Sequence, residues 1–128
     1  MASQIIRAAI GKDAPYFKTS TSDAKKGNFR DISLDDYKNK YLLLFFYPLD
    51  FTFVCPTEIL EFSNKAAKFR DVGCEVVGCS IDSKFSHMEW TQKPRNKGGL
   101  GEIDIPLLAD VNKKVSGSLF RLLIAMVY

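Results

Sequence analysis

Tyr41-Leu42-Leu43-Leu44-Phe45-Phe46-Tyr47 is apolar at every position. A strand with one face in water alternates apolar and polar residues, so an unbroken run of this kind belongs to a parallel sheet covered by helices on both faces. The run ends at Pro48. After a seven-residue loop, Pro56 occupies what reads as the first position of a helix, where its missing N–H costs nothing. Ile59, Phe62, Ala66 and Phe69 follow at spacings of three and four, which predicts one apolar stripe on a helix of about four turns, stopped by Gly73. Cys74 to Ile81 is the next mostly apolar segment and reads as a second strand. Strand, helix and strand in roughly 40 residues make a right-handed βαβ unit, so the fold class is α/β.

Outward from this unit, Tyr16 to Thr19 and Phe29 to Ile32 flank a polar stretch centred on Lys25-Lys26-Gly27-Asn28 and read as a loose hairpin. Ser33 with Asp36 forms a weak capping box that opens one helical turn through Tyr37. Toward the C-terminus, Ser83 is expected to cap a helix carrying Phe85, Met88 and Trp90, and the segment Gly98 to Gly101 reads as a flexible loop. Ile105 to Ala109 is interrupted by Pro106, which predicts an edge strand or an extended loop. Asn112 to Ser116 has room for one more helical turn.

The composition narrows the class of function. The chain has 128 residues, the size of one domain, with 46% apolar and 26% charged residues, enough for a single core. Its longest apolar runs, 41–47 and 122–128, are seven residues each, whereas a membrane-spanning helix needs about 20. Eighteen Lys and Arg against 15 Asp and Glu leave a net charge of only +3, and the densest basic cluster, Lys93, Arg95 and Lys97, reads as a solvated loop. No nucleic-acid partner and no membrane partner is expected. Three cysteines give no disulfide framework, and Met1 to Lys12 lacks the apolar stretch of a secretory signal, so a reduced, cytoplasmic setting is expected.

The chemistry centres on Cys55. It follows a buried strand and precedes Pro56, in what reads as the N-cap position of the next helix. The first-turn N–H groups have no partners within the helix, and with the helix dipole they favour an anion there, lowering the thiol pKa below its free value of about 8.5. Thr52, three residues earlier, offers a hydroxyl to the sulfur or to an oxygen-bearing substrate, and Pro48 turns the chain so as to shield one side of the site. Glu58 opposes a thiolate, so a cation not identifiable from the sequence is expected to compensate. Cys74 and Cys79, at odd spacing, fall on opposite faces of a strand and read as buried spectators. His87, the only histidine, reads as exposed on its helix, and zinc would need more ligands at closer spacing.

The stretch Phe45-Phe46-Tyr47-Pro48-Leu49-Asp50-Phe51-Thr52-Phe53-Val54-Cys55-Pro56-Thr57-Glu58 resembles the active-site segment of the typical two-cysteine peroxiredoxins. Agreement extends to residues 31–37, to Ser80-Ile81-Asp82-Ser83 running on to Trp90, and to Gly98-Gly99-Leu100-Gly101 with Ile105 to Asp110. The resemblance covers nearly everything from Ile10 to Ser116. It implies an incomplete thioredoxin-like fold, a central sheet with flanking helices, and a thiol-dependent peroxidase that needs no cofactor and no metal. By that resemblance Cys55 is the peroxidatic cysteine, oxidised to a sulfenic acid by hydrogen peroxide or alkyl hydroperoxides. Thr52 aligns the peroxide and Pro48 covers the site. Thioredoxin or another external thiol serves as reductant, a homo-oligomer is a further expected partner, and the glycine segment slows unfolding of the active-site helix.

Residues 1–116 therefore read as the N-terminal part of a peroxiredoxin domain, and 117–128 as a divergent apolar tail. In the tail no resolving-cysteine motif remains, and Arg121 is the only candidate for the family's pocket arginine. Nine of the last ten residues are apolar. The tail reads first as a truncated isoform or a frame or splicing artefact, with a replacement strand or a packed helix as the alternatives. Left exposed, such a segment is aggregation-prone. Ending the family's pattern at 116 also leaves the sheet with an unpaired edge. A second reading of the function is a catalytically impaired binding or chaperone-like partner of full-length relatives.

Overall fold

A computed structural model of the chain describes residues 8–52, 55–119 and 124–127, with the backbone only at residue 55 and at 124–127. The predicted hairpin forms from β1 (Lys18–Asp23) and β2 (Asn28–Ser33), antiparallel with Lys18 opposite Ser33. A 3₁₀ turn (Leu34–Tyr37) follows, and the Ser33 N–H donates to Asp36 Oδ2 at 2.7 Å, half of the predicted capping box. The all-apolar run is β3 (Lys40–Phe46), and α1 (Cys55–Asp71) returns the chain to β4 (Cys74–Ser80), parallel to β3. Gly73, at φ +75°, terminates α1 in a left-handed conformation that favours glycine.

Ser83 caps α2 (Lys84–Gln92), its hydroxyl accepting from the Ser86 N–H at 3.2 Å. A second 3₁₀ turn (Arg95–Lys97), β5 (Leu107–Ala109), α3 (Lys114–Leu119) and β6 (Ile124–Val127) complete the order. The sheet has six strands, β2-β1-β5-β4-β3-β6, with β3, β4 and β5 mutually parallel in the middle. No helix among the described residues is long and apolar enough to cross a membrane.

Both sheet faces are buried, as the run 41–47 requires. Leu42 and Leu44 join Phe17, Ile32, Val77, Cys79, Leu108, Val115 and Leu119 in a core under α3. Phe45 and Tyr47 join Ile59, Ala66, Trp90 and Leu107 in a second core under α1 and α2. The predicted α1 stripe provides the attachment: Ile59 and Ala66 are buried, and Phe62 stacks on Phe45 with ring centroids 4.5 Å apart. Gly78 of β4 lets that ring approach, since a Cβ there would stand 3.0 Å from Phe45 Cζ and 2.8 Å from Leu107 Cδ2.

Three expectations are corrected. The Pro106 segment is no edge: β5 lies between β1 and β4, because Pro106 precedes the strand and there contributes its carbonyl to the Gly78 N–H at 3.1 Å. The sheet does not end at β3, because β6 pairs antiparallel with it, Lys40 opposite Val127 and Leu43 opposite Ile124. Ile and Val favour strands, so four residues of the tail satisfy the backbone groups that the shorter reading left open. The Gly98–Gly101 segment is no loose loop. Each of its four N–H groups donates to a carbonyl, those of Arg95, Pro94, Trp90 and Lys93 in turn, and Leu100 is buried.

Candidate active site

The candidate site lies at the carboxyl end of the parallel strands, the usual ligand position in open α/β sheets. β3 ends at Phe46, and the Tyr47 N–H still donates to the Cys79 carbonyl at 3.0 Å, so the chain leaves the sheet only at Pro48. Pro48 is exposed. With Phe46, Leu49, Ile81, Asp110 and Lys113 it borders a cavity of about 970 Å³ between the strand ends and α3. The half-buried Thr52 donates its hydroxyl to the Leu49 carbonyl at 3.1 Å, which fixes the side chain and leaves the oxygen lone pairs as acceptors. Three residues later α1 opens at Cys55, with Pro56 in its first turn and Glu58 exposed. Sequence reasoning placed Cys55 one residue before the helix, a difference of the size expected at helix ends. Phe53, Val54, Arg121 and the Cys55 side chain lie outside the described part of the structure.

Between Pro48 and Thr52, Phe51 has φ +58°, a region that a bulky side chain occupies at a cost of about 1–3 kcal/mol. Asp50 holds the turn in that shape. Its buried carboxylate accepts from the Tyr47 hydroxyl at 2.8 Å and the Ser86 hydroxyl at 2.9 Å, and lies 2.7 Å from His87 Nδ1. Its backbone N–H donates to Asp82 Oδ2 at 2.9 Å, and Asp82 in turn accepts from the Ser80 hydroxyl at 2.6 Å. Phe51 faces Trp90 at 5.9 Å, with Lys93 Nζ over its ring. The loop is thus tied to β3, to the end of β4 and to α2.

His87 is fully buried, contrary to its reading as exposed. The reason lies in distant partners: Asp50 takes one ring nitrogen, and the Leu108 carbonyl takes Nε2 at 3.0 Å. Asp50, Ser86 and His87 are the site residues that sequence reasoning missed. A carboxylate between Leu49 and Phe51, beside a buried strand, was one available signal, because a buried acid needs partners. The spacing of His87, Trp90 and Thr91 along one helix face was another.

Burial, with the Asp50 charge next, raises the Tyr47 phenol far above its ordinary pKa, so Tyr47 is a protonated donor. Burial, reinforced by Asp110, likewise raises the Cys79 thiol, and burial raises that of Cys74. Both are free thiols and buried, as expected of them. Among the described residues no group of three or more His, Cys, Asp or Glu is arranged to hold a metal ion.

A family model described as the AhpC/TSA family matches residues 10–122. Peroxiredoxin-2 of Macaca fascicularis is 58% identical over 109 residues, covering 85% of this chain and 54% of its own length. Peroxiredoxin-4 of Dictyostelium discoideum is 61% identical over 107 residues, with 84% and 40% covered. The mitochondrial thioredoxin-dependent peroxide reductase of Bos taurus is 58% identical over 108 residues, with 84% and 41% covered. The chain thus spans about half the length of the curated relatives it matches. The reduced 2-Cys peroxiredoxin of Plasmodium vivax superposes with a TM-score of 0.81 at 40% identity, over 91% of this chain and 73% of that one. The fold is accordingly the thioredoxin-like α/β fold expected. With the family model spanning both layers of that fold and the loop leading to Cys55, the chain belongs to the AhpC/TSA family, and the relatives it matches are peroxiredoxins.

Proposed function

We propose that the chain is a thiol-dependent peroxidase that reduces hydrogen peroxide and organic hydroperoxides through Cys55. The Cys55 thiolate attacks one peroxide oxygen as the O–O bond breaks. Sulfur is oxidised by two electrons to a sulfenic acid, and the leaving oxygen takes a proton and departs as water or alcohol. One external thiol then displaces water to form a mixed disulfide, and a second releases Cys55 as a thiol. The observation that carries the reading is the turn 48–52, which fixes the Thr52 hydroxyl oxygen as an acceptor three residues before the helix opening at Cys55. The N-terminal end of the α1 dipole, at which Cys55 sits, favours the thiolate and the departing oxyanion. Pro48, at the border of the cavity, covers the site.

The reductant is thioredoxin or another external thiol, in keeping with the name of the Bos taurus relative. Residues 1–116 supply the peroxiredoxin domain and 117–128 a divergent segment that lends the sheet an edge strand. The setting is cytoplasmic. The chain self-associates into a homo-oligomer, for which the exposed pair Phe29 and Phe85, in edge-to-face contact at 5.2 Å, offers apolar surface.

Intact-mass spectrometry after brief exposure to one equivalent of hydrogen peroxide, with dimedone trapping and peptide mapping, tests the activity. Selective adduct on Cys55, abolished in Cys55→Ser and slowed at least tenfold in Thr52→Val, is expected. Reaction at Cys55 no faster than at Cys74 and Cys79 in folded protein would overturn the reading.

A further inference from the structure

We propose that Asp50 and His87 form a positioning clamp that shares one proton between Asp50 Oδ2 and His87 Nδ1 and fixes the turn presenting Thr52 and the start of α1. The inference rests on the peroxidase reading above.

The proton count follows from which atoms are able to donate. His87 Nε2 lies 3.0 Å from the Leu108 carbonyl oxygen, which only accepts, so Nε2 carries a hydrogen. The Tyr47 hydroxyl donates to Asp50 Oδ1 at 2.8 Å and is therefore no donor to Nδ1, from which it stands 3.3 Å away. The Ser86 hydroxyl donates to Asp50 Oδ2 at 2.9 Å. The remaining contact, Nδ1 to Oδ2, is 2.7 Å, a distance at which two bare lone pairs would repel. A proton lies between them. Whichever atom holds it, the pair is net neutral, and both side chains are completely buried.

The placement gives the clamp its consequence. Asp50 sits at the centre of the turn, and Leu49 and Thr52, joined by the Thr52 hydroxyl, bracket it on either side. Asp50 reaches α2 through Ser86 and His87, and β3 through Tyr47, while the far side of the His87 ring is anchored on β5 at Leu108. One carboxylate thus references the turn to three elements that have cores of their own. Removing it frees the turn, including the unfavourable Phe51 conformation, without opening either core. The reaction with peroxide depends on alignment of the O–O bond, so it suffers most. Simple alkylation of the same thiolate has no such demand.

The test compares, on the full chain, the rate constants of Cys55 with hydrogen peroxide and with iodoacetamide in wild type, Asp50→Ala, Asp50→Asn and His87→Leu. The clamp predicts that the peroxide rate falls at least tenfold in Asp50→Ala and His87→Leu, while the iodoacetamide rate changes less than threefold. Asp50→Asn should recover most of the loss, because its amide donates to Nδ1 and its oxygen still accepts from Tyr47. Loss of both rates in parallel, or peroxide rates equal to wild type in the two deletion variants, would overturn the clamp alone. A wild-type Cys55 that reacts with peroxide no faster than free cysteine would overturn the peroxidase reading and the clamp together. Should a deletion variant fail to fold, ¹⁵N-histidine NMR of wild type and Asp50→Asn decides. A slowly exchanging Nε2–H in both supports the clamp, and an unprotonated Nε2 in wild type overturns it.

Discussion

Gly78→Ala isolates the contact that seats the helix bearing Cys55. In register, Gly78 of β4 lies between Phe45 of β3 and Leu107 of β5, and both of those side chains point to the face that α1 covers. An added methyl would stand 2.8 Å from Leu107 Cδ2 and 3.0 Å from Phe45 Cζ, where ordinary contact begins at 3.4 Å. Neither neighbour yields freely: Leu107 is completely buried, and the Phe45 ring is stacked on Phe62 of α1. Overpacking of this kind costs about 1–3 kcal/mol, and the smaller unfolded-state entropy of alanine returns ~0.4–1 kcal/mol. The expected net loss is about 1–2 kcal/mol, several degrees in Tm. Urea unfolding followed by circular dichroism and by fluorescence of Trp90, the single tryptophan, measures it, coincident transitions validating two-state analysis. Leu107→Val removes the clashing atom, so it should cost at least ~0.5 kcal/mol less in the Gly78→Ala background than in wild type. Equal or greater stability of Gly78→Ala, or strict additivity with Leu107→Val, would refute the packing argument.

Two further predictions concern titratable groups. The Lys25 ammonium, 2.7 Å from Asp104, and the Arg70 guanidinium beside it hold that carboxyl below its ordinary 3.8. As pH falls the unfolded state therefore binds the proton first, so the stabilisation is full above about pH 3.8 and is lost below, through the folded-state pKa. The stability difference between wild type and Asp104→Asn should shrink as pH falls below about 3.8, and a difference constant with pH would contradict the assignment. Burial raises the thiols of Cys79 and Cys74, so native-state labelling with iodoacetamide near pH 8 should modify Cys55 at least tenfold faster than either; equal labelling of Cys79 in folded protein would count against it.

What nearest neighbours encode was legible in the residues. The unbroken run 41–47 announced a strand buried on both faces, the stripe from Ile59 to Phe69 announced a helix packed on it, and Gly73 and Ser83 marked helix ends through local hydrogen bonding and backbone conformation. The motif running to Cys55 pointed to the candidate site and to the family. Each signal lies within a few residues of its effect, so periodicity and capping rules were sufficient.

The pairing of distant segments was not legible. Pro106 made β5 look peripheral, although it is central, because strand order depends on which segments meet across the sheet and not on local propensity. The apolar tail read first as a truncated isoform or an artefact, with a replacement strand or a packed helix as the alternatives, whereas its residues 124–127 pair with the edge of β3. His87 read as a solvent-facing residue because its burial depends on Asp50, 37 positions away, and on the Leu108 carbonyl, 21 positions away. By itself the sequence marked most of the elements and pointed to Cys55 as the candidate nucleophile. Only the tertiary structure decided which polar groups those elements bring together, since a buried carboxylate or imidazole is stable only where the fold supplies its partners.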